Sequence, residues 1–403
     1  MQMDSLTRLA LSRAGVSSIE AFQEQAGLPV TRALDAETQA ALEPWLLGYD
    51  RVEIRERDTI YGLARRYDTR EVAILAANPG VDPRELRPGQ VLTVPFPFDV
   101  VPTDVPMTSR LCGLCIWGLT ARYPALCRRT LLTTTAGGRP VEALILGSGP
   151  RTVLYNAALH ANEWITTPVL LKFAEELARA GAFGGAVFGI PAEELLERAT
   201  VHLVPMVNPD GVDLVTGAIG PGEAEYERAQ TLAARYPTIP FPEGWKANLL
   251  GVDLNLNYPA GWENAREIKF SQGYTRPGPR DYVGQAPLDQ RESAAMARYT
   301  RLLEPRLTLA YHSQGEVIYW KYLDMEPPGA RAIGERFATV SGYALDDTPY
   351  ASGFAGYKDW FILRWNRPGY TVEVGSGANP LPLSQFDEIY EANLGILTLG
   401  MVV

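Results

Sequence analysis

The stretch "TVLYNAALHANEW" (152–164) decides how the rest of the chain is read. Residues 153–159 form a short, largely apolar, β-rich run, which suits a strand covered on both faces better than a helix. The run stops at His160-Ala161-Asn162-Glu163, and a helical run follows at 167–180. Strand, polar turn and helix make half of a parallel α/β unit, and catalytic groups gather at the carboxyl ends of such strands. His160 and Glu163, three apart across that turn, can both face one metal ion. Taken alone, the pair is a weak signal, and a structural histidine satisfied within the fold is the better reading of it.

Working outward, apolar β-rich runs recur at 143–146, 201–207, 307–310 and 370–374, with a second helical run at 289–303. This order predicts, over 107–403, an α/β catalytic domain with a mixed, mostly parallel sheet flanked by helices. Two of these runs carry polar residues at or near their ends: His312 after 307–310, and Glu373 within 370–374. The third histidine, His202, lies inside "ATVHLVPMV" (199–207) and is expected to sit on a sheet face or in the core.

Upstream, the pattern changes. Residues 1–48 read as a small helical module: Ser18 can cap a helix bearing Ile19 and Phe22 that closes at Gly27, and Asp35 can cap another bearing Thr38, Ala41 and Leu42. Residues 51–95 read as strand, helix, helix, strand, with the second helix at 71–77 closing at Asn78-Pro79-Gly80. Residues 96–106, "FPFDVVPTDVP", read as an extended, stiff linker.

The bulk numbers limit the functions available. At 403 residues the chain suits two or three domains, and 46% hydrophobic with 21% charged residues is an ordinary globular balance. A net charge of −10 disfavours nucleic acid as the main partner. The three cysteines, Cys112, Cys115 and Cys127, lack a second Cys-x-x-Cys or a nearby histidine, and are expected to be apolar helix-face residues in a reducing compartment. No stretch reaches the ~18 apolar residues of a membrane span, and the N-terminus lacks a basic head followed by an apolar run. A cytoplasmic location, without a membrane anchor, is the resulting expectation.

The two N-terminal units resemble known wall-binding modules. "AFQEQAGLPVTRALDAETQAAL" (21–42) resembles the three-helix peptidoglycan-binding repeat, departing from it at Arg32-Ala33, where that family has glycine. "RDTIYGLARRYDTREVAILAANPG" (57–80) with "LRPGQVLTVP" (86–95) resembles the LysM module. That resemblance implies peptidoglycan glycan strands as ligand, in a groove between Asp58-Thr59-Ile60 and Asn78-Pro79-Gly80.

From 107 onward, five segments in order resemble the carboxypeptidase A family of zinc peptidases: "HANE" (160–163), "NPDG" (208–211), "GVDLNLN" (251–257), "HSQGEVIYW" (312–320) and "TVEVGSG" (371–377). The resemblance implies one zinc ion per chain held by His160, Glu163 and His312, with Glu373 as general base toward a water activated by zinc. It implies that Asp253 orients His160, and that Asn255 contacts substrate. Lys246, seven before Asp253, stands where the family carries an oxyanion-binding arginine; a surface lysine is the alternative. Tyr350 is similar to the family's tyrosine that closes over substrate, or is a packing residue.

The departures narrow the substrate. Leu256 occupies the position of the arginine that clamps a substrate's C-terminal carboxylate, and leucine cannot donate a hydrogen bond. Such a contact is worth about 1.5–3 kcal/mol. Asn162 also replaces an arginine of carboxypeptidase A. The segments 160–173, 251–284 and 349–362 are similar to the γ-D-glutamyl-L-diamino acid endopeptidases of spore-forming bacteria, which share the leucine. Among locations, that resemblance adds a spore-associated one. The implied reaction is zinc-dependent hydrolysis of the γ-D-glutamyl–meso-diaminopimelate bond in peptidoglycan stem peptides. Arg280, Asp281 and Lys269 are then candidates for contacting the charged substrate, against the alternative of solvated surface charges. A zinc carboxypeptidase of altered specificity and a wall-binding protein with an inactive peptidase domain are the rival readings.

Overall fold

The computed structural model describes residues 3–403. Three helices come first: α1 (Ser5–Arg13), α2 (Ile19–Ala26) and α3 (Ala36–Leu47). Asp4, Ser18 and Asp35 cap them by accepting from the backbone N–H three residues on, contacts worth about 1 kcal/mol each. The helix α1 is an element the sequence reading lacks. Next come β1 (Tyr49–Glu53), α4 (Ile60–Arg66), α5 (Glu71–Ala77) and β2 (Val91–Pro95), with β1 and β2 antiparallel. These enclose their own core of Val52, Ile54, Ile60, Leu63, Ile74, Leu92 and Val94.

The remaining chain runs α6 (Ser109–Arg122), β3 (Cys127–Thr134), β4 (Pro140–Leu146), β5 (Arg151–Ala157), α7 (Thr166–Phe183), β6 (Ala186–Val187), β7 (Ile190–Pro191), α8 (Ala192–Arg198), β8 (Ala199–Val204), α9 (Pro209–Thr216), α10 (Ala224–Ala233), α11 (Trp262–Ser271) and α12 (Arg291–Leu303). It closes with β9 (Leu307–His312), β10 (Val317–Tyr319), α13 (Ala330–Ser341), β11 (Ala344–Asp346), α14 (Tyr357–Trp365), β12 (Gly369–Glu373) and α15 (Phe386–Leu399). Eight strands form one mixed sheet in the order β11-β10-β12-β9-β5-β8-β4-β3. Its centre, β12-β9-β5-β8, is parallel, and β4 and β3 continue it antiparallel at one edge. The central strands are buried along most of their length, which explains their largely apolar text.

The connector 96–106 departs from expectation. It bends repeatedly instead of running extended. Val100 and Val101 are buried in the catalytic core, and their N–H groups donate to Glu175 of α7. Arg13 donates to the carbonyls of Trp45, Leu46, Asp99 and Val100, tying α1, α3 and the connector together. Trp45 stacks on Phe96 with centroids 4.5 Å apart. Leu9, Leu11, Phe22 and Leu42 thereby join the core that contains Leu111, Cys115 and Ile116 of α6. Burial raises the thiols of Cys112, Cys115 and Cys127, so none is a reactive thiolate. Cys127 opens a strand, whereas Cys112 and Cys115 lie on a helix.

Candidate metal and substrate site

The site is built on adjacent strand ends. After β5, Ala158 takes a left-handed turn (φ 48°), and a single 3-10 turn, Ala161–Glu163, follows. Residues three apart in such a turn eclipse one another, which puts His160 and Glu163 on one face. β9 runs parallel to β5 and ends at His312; β12 runs parallel to β9 and brings Glu373 level with His312. Four residues spread over more than two hundred positions are thus gathered by sheet register and one tight turn.

Three side chains converge. His160 Nδ1 lies 2.9 Å from Glu163 Oε1, His312 Nδ1 lies 2.9 Å from Glu163 Oε2, and the two Nδ1 atoms are 3.2 Å apart. They form a cluster able to hold a metal ion. The chemistry of the donors fits zinc. Asp253 Oδ1, 3.1 Å from His160 Nε2, calls for the proton on that nitrogen, which leaves the Nδ1 lone pair facing the Glu163 carboxylate. Acceptor against acceptor calls for positive charge between them, a second ring proton or a metal ion. Two metal–nitrogen bonds of about 2.0–2.1 Å at a tetrahedral angle place their nitrogens about 3.4 Å apart, close to the spacing found. Burial opposes a charge on His160, but Glu163 and Asp253 outweigh it and raise the imidazole to about 9, a measure of how strongly the cluster draws positive charge. Burial opposes ionisation of Glu163 as well, yet His160 and Lys246 hold its carboxyl well below the usual range.

The surrounding residues hold this geometry. Asp253 opens a 3-10 turn, Leu254–Leu256, and its Oδ2 accepts from the N–H of Asp281. Lys246 Nζ lies 2.8 Å from Glu163 Oε1. The "NPDG" motif explains itself here: buried Asn208 donates to the carbonyls of Leu159, Lys246 and Ala247, stitching the His160 turn to the Lys246 segment. Glu373 lines the same cleft, where burial and then Glu163 push its carboxyl up to about 8.

The cleft measures about 250 Å³ and is also lined by Asn255, Leu256, Lys269, Arg280 and Asp281. Asn255 Oδ1 accepts from Tyr357 N–H, leaving its amide nitrogen for the cleft. Asp281 sits between two cations, Lys269 Nζ at 2.7 Å and Arg280 Nε at 2.6 Å. Tyr350 is 69% exposed, packs edge-on against Phe354 and lines a neighbouring groove instead of the cleft itself. Asn162 is buried beside Glu243 O and does not line the cleft. His202 lies on β8 against Tyr299, and burial lowers its imidazole to about 4. Sequence reasoning missed Lys358 and Asp359, which line the cleft from the first turn of α14; their only signal was an adjacent pair of opposite charges in an otherwise mostly apolar helix.

In the N-terminal modules, Thr59 caps α4, Asp58 pairs with Arg66, and Ile60 is in the core. Asn78 bonds Ile74 O and both polar backbone atoms of Thr93. Ile60 and Asn78 therefore hold the module together through their side chains. No helix among the described residues is long and apolar enough to cross a membrane.

Compared with known proteins, residues 115–395 match the family model described as zinc carboxypeptidase, and residues 52–95 that of the LysM domain. Over 283 residues the chain is 43% identical to γ-D-glutamyl-L-diamino acid endopeptidase 1 of Lysinibacillus sphaericus, covering 70% of this chain and 69% of that protein. It is 41% identical over 262 residues to an uncharacterised protein of Bacillus subtilis, covering 64% and 68% respectively. In fold it is similar to bovine thrombin-activatable fibrinolysis inhibitor in complex with tick carboxypeptidase inhibitor, at TM-score 0.57 and 16% identity, over 74% of this chain and 97% of that one. The chain belongs to the zinc carboxypeptidase family and is a zinc metallopeptidase, with one zinc site at His160, Glu163 and His312 and a LysM module ahead of its peptidase domain.

Proposed function

We propose that the enzyme hydrolyses the γ-D-glutamyl–diamino acid bond of peptidoglycan stem peptides. The observation that carries this reading is Leu256, which lines the cleft where an arginine would fix a free C-terminus, while a net positive charge sits instead at the Lys269, Arg280 and Asp281 group. Two cations share the single carboxylate of Asp281, so that wall of the cleft carries a surplus charge for a substrate carboxylate within the peptide. The 43% identity to an enzyme named for this reaction supports the same substrate. The LysM module, and the helical unit of residues 1–48, would hold the enzyme on wall glycans.

When bound, zinc supplies a Lewis acid that polarises a carbonyl and lowers the pKa of water from 15.7 to about 7. Glu373, facing the ligand residues from β12, is placed to take a proton from the attacking water and return it to the leaving amine. Positive charge at the metal site favours its ionised form, against the burial that raises it. Lys246 keeps Glu163 ionised and has further N–H groups to meet developing negative charge on the scissile carbonyl oxygen. Asn255 offers its amide to the substrate backbone.

Digestion of the tetrapeptide L-Ala-γ-D-Glu-meso-diaminopimelyl-D-Ala, followed by mass analysis, tests the reading. The expected products are L-Ala-D-Glu and diaminopimelyl-D-Ala. Release of D-Ala alone would make the enzyme a carboxypeptidase.

A further inference from the structure

The lysine and arginine side chains of the cleft are not equally available. Those of Lys246, Lys269 and Lys358 are between 4% and 18% exposed, each against a carboxylate, Glu163, Asp281 or Asp359. Arg280 is 39% exposed and gives only its Nε to Asp281, at 2.6 Å. Neither of its terminal nitrogens has a protein partner among the described residues. Lys269 Nζ meets the other oxygen of Asp281 at 2.7 Å, so that carboxylate is already neutralised. What remains is one cation with a planar pair of free donors on the cleft wall, the form that grips a carboxylate by both oxygens.

The place of Arg280 decides which carboxylate it meets. Lys246 and Ala247 donate their N–H groups to Pro279 O, and Asp253 N–H donates to Tyr282 O. Asp281 N–H reaches Asp253 Oδ2, whose partner oxygen supports His160. Residues 279–282 are thereby stitched between Lys246 and the support of a metal ligand. Glu373 and Thr371 line the cleft from β12, and Tyr319 from the adjacent β10. Glu373 returns the proton to the leaving amine, so the amine half of the substrate belongs by β12. The acyl half, whose carbonyl oxygen turns to Lys246, belongs beside Arg280. In a γ-linked glutamyl residue that half carries a free α-carboxylate.

We infer that Arg280 is a specificity residue for the acyl half, binding the glutamyl α-carboxylate through its two terminal nitrogens while Asp281 fixes the guanidinium plane. The inference rests on the stem-peptide reading above; it names the glutamyl carboxylate, and not those of diaminopimelate, as the one read there. A carboxamide at that carbon keeps one acceptor oxygen and turns its own N–H groups against a donor, so the site disfavours stem peptides amidated there.

Three tripeptides test this: L-Ala-γ-D-Glu-meso-diaminopimelate, its analogue amidated on the glutamyl α-carboxylate, and its analogue amidated on the side-chain carboxylate of diaminopimelate. For the wild type, kcat/KM on the first should exceed that on the second by about tenfold or more, the discrimination expected of one charge-assisted contact. In Arg280→Gln that preference should shrink to within about threefold, through loss on the first peptide, and the third should fall with the first while zinc content stays at one per chain. Arg280→Lys keeps the charge without the fork and should hold an intermediate preference; it carries the test alone where the glutamine variant does not fold. Equal wild-type rates on the first two peptides, or an undiminished preference in Arg280→Gln, would overturn the assignment and leave the stem-peptide reading standing. So would parallel loss on all three peptides, or a change confined to the third, which would give Arg280 to the diamino acid. If the wild type cuts none of the three between glutamate and diaminopimelate, the stem-peptide reading fails and takes this assignment with it.

Discussion

The metal corner of the cleft and its substrate walls are built by different means. His160, His312 and Glu373 stand at or just beyond the ends of three neighbouring parallel strands, where register fixes each relative to the next. Lys269, Arg280 and Lys358 come instead from α11, a long loop and α14, outside the sheet, and each is placed by an acidic partner, Asp281 or Asp359. The difference teaches that chemistry is fixed by the scaffold, and specificity by exchangeable charge pairs at its edge. The corner should therefore fail in an all-or-none way and the walls by degrees.

The largest effect should come from Glu373→Gln. It removes the proton carrier but no metal ligand, so zinc stays at one per chain while kcat falls by about 10²–10⁴. Loss of zinc together with activity would place Glu373 among the ligands and blur the division. Asp253→Asn tests how far the corner depends on its support. With the His160 tautomer no longer fixed by a carboxylate, zinc affinity should fall by about 10–100-fold in a competition titration with a chelator. An unchanged affinity would mean that the strand end alone sets the ring. Arg280→Ala tests a wall. Lys269 still neutralises Asp281, so the variant should fold and bind zinc normally, with KM raised by about tenfold and kcat kept within a few-fold. A kcat loss as large as that of Glu373→Gln would show that wall and corner are not separable.

The same division explains what the sequence revealed. The corner was legible because strand ends announce themselves: an apolar run stops, and His160 and Glu163 follow at a spacing that a single tight turn can use. The LysM module was legible because its helix start at Thr59 and its turn at Asn78-Pro79-Gly80 are local chemistry. The walls were not. Asp281 adopts a left-handed backbone (φ 64°) that nothing in "GPRDY" announces, and the partnership of Lys269 with it spans a loop whose course no periodicity fixes. Lys358 and Asp359 were hidden by burial in a helix whose other first-turn residues are aromatic. The outer strands β3, β10 and β11 were missed for a related reason, since partly exposed strands lack the largely apolar text of β5 and β9. The bent connector escaped notice because its anchors, Arg13 and Glu175, lie far from it in sequence.

The most direct test is metal content measured beside hydrolysis in the same preparations. The wild type should carry one zinc per chain; folded His160→Ala should carry almost none and lose activity by a factor of about a thousand or more, since the metal contributes several kcal/mol of transition-state stabilisation. A well-folded wild type that takes up no zinc, or a His160→Ala variant that hydrolyses substrate at the wild-type rate, would contradict the account.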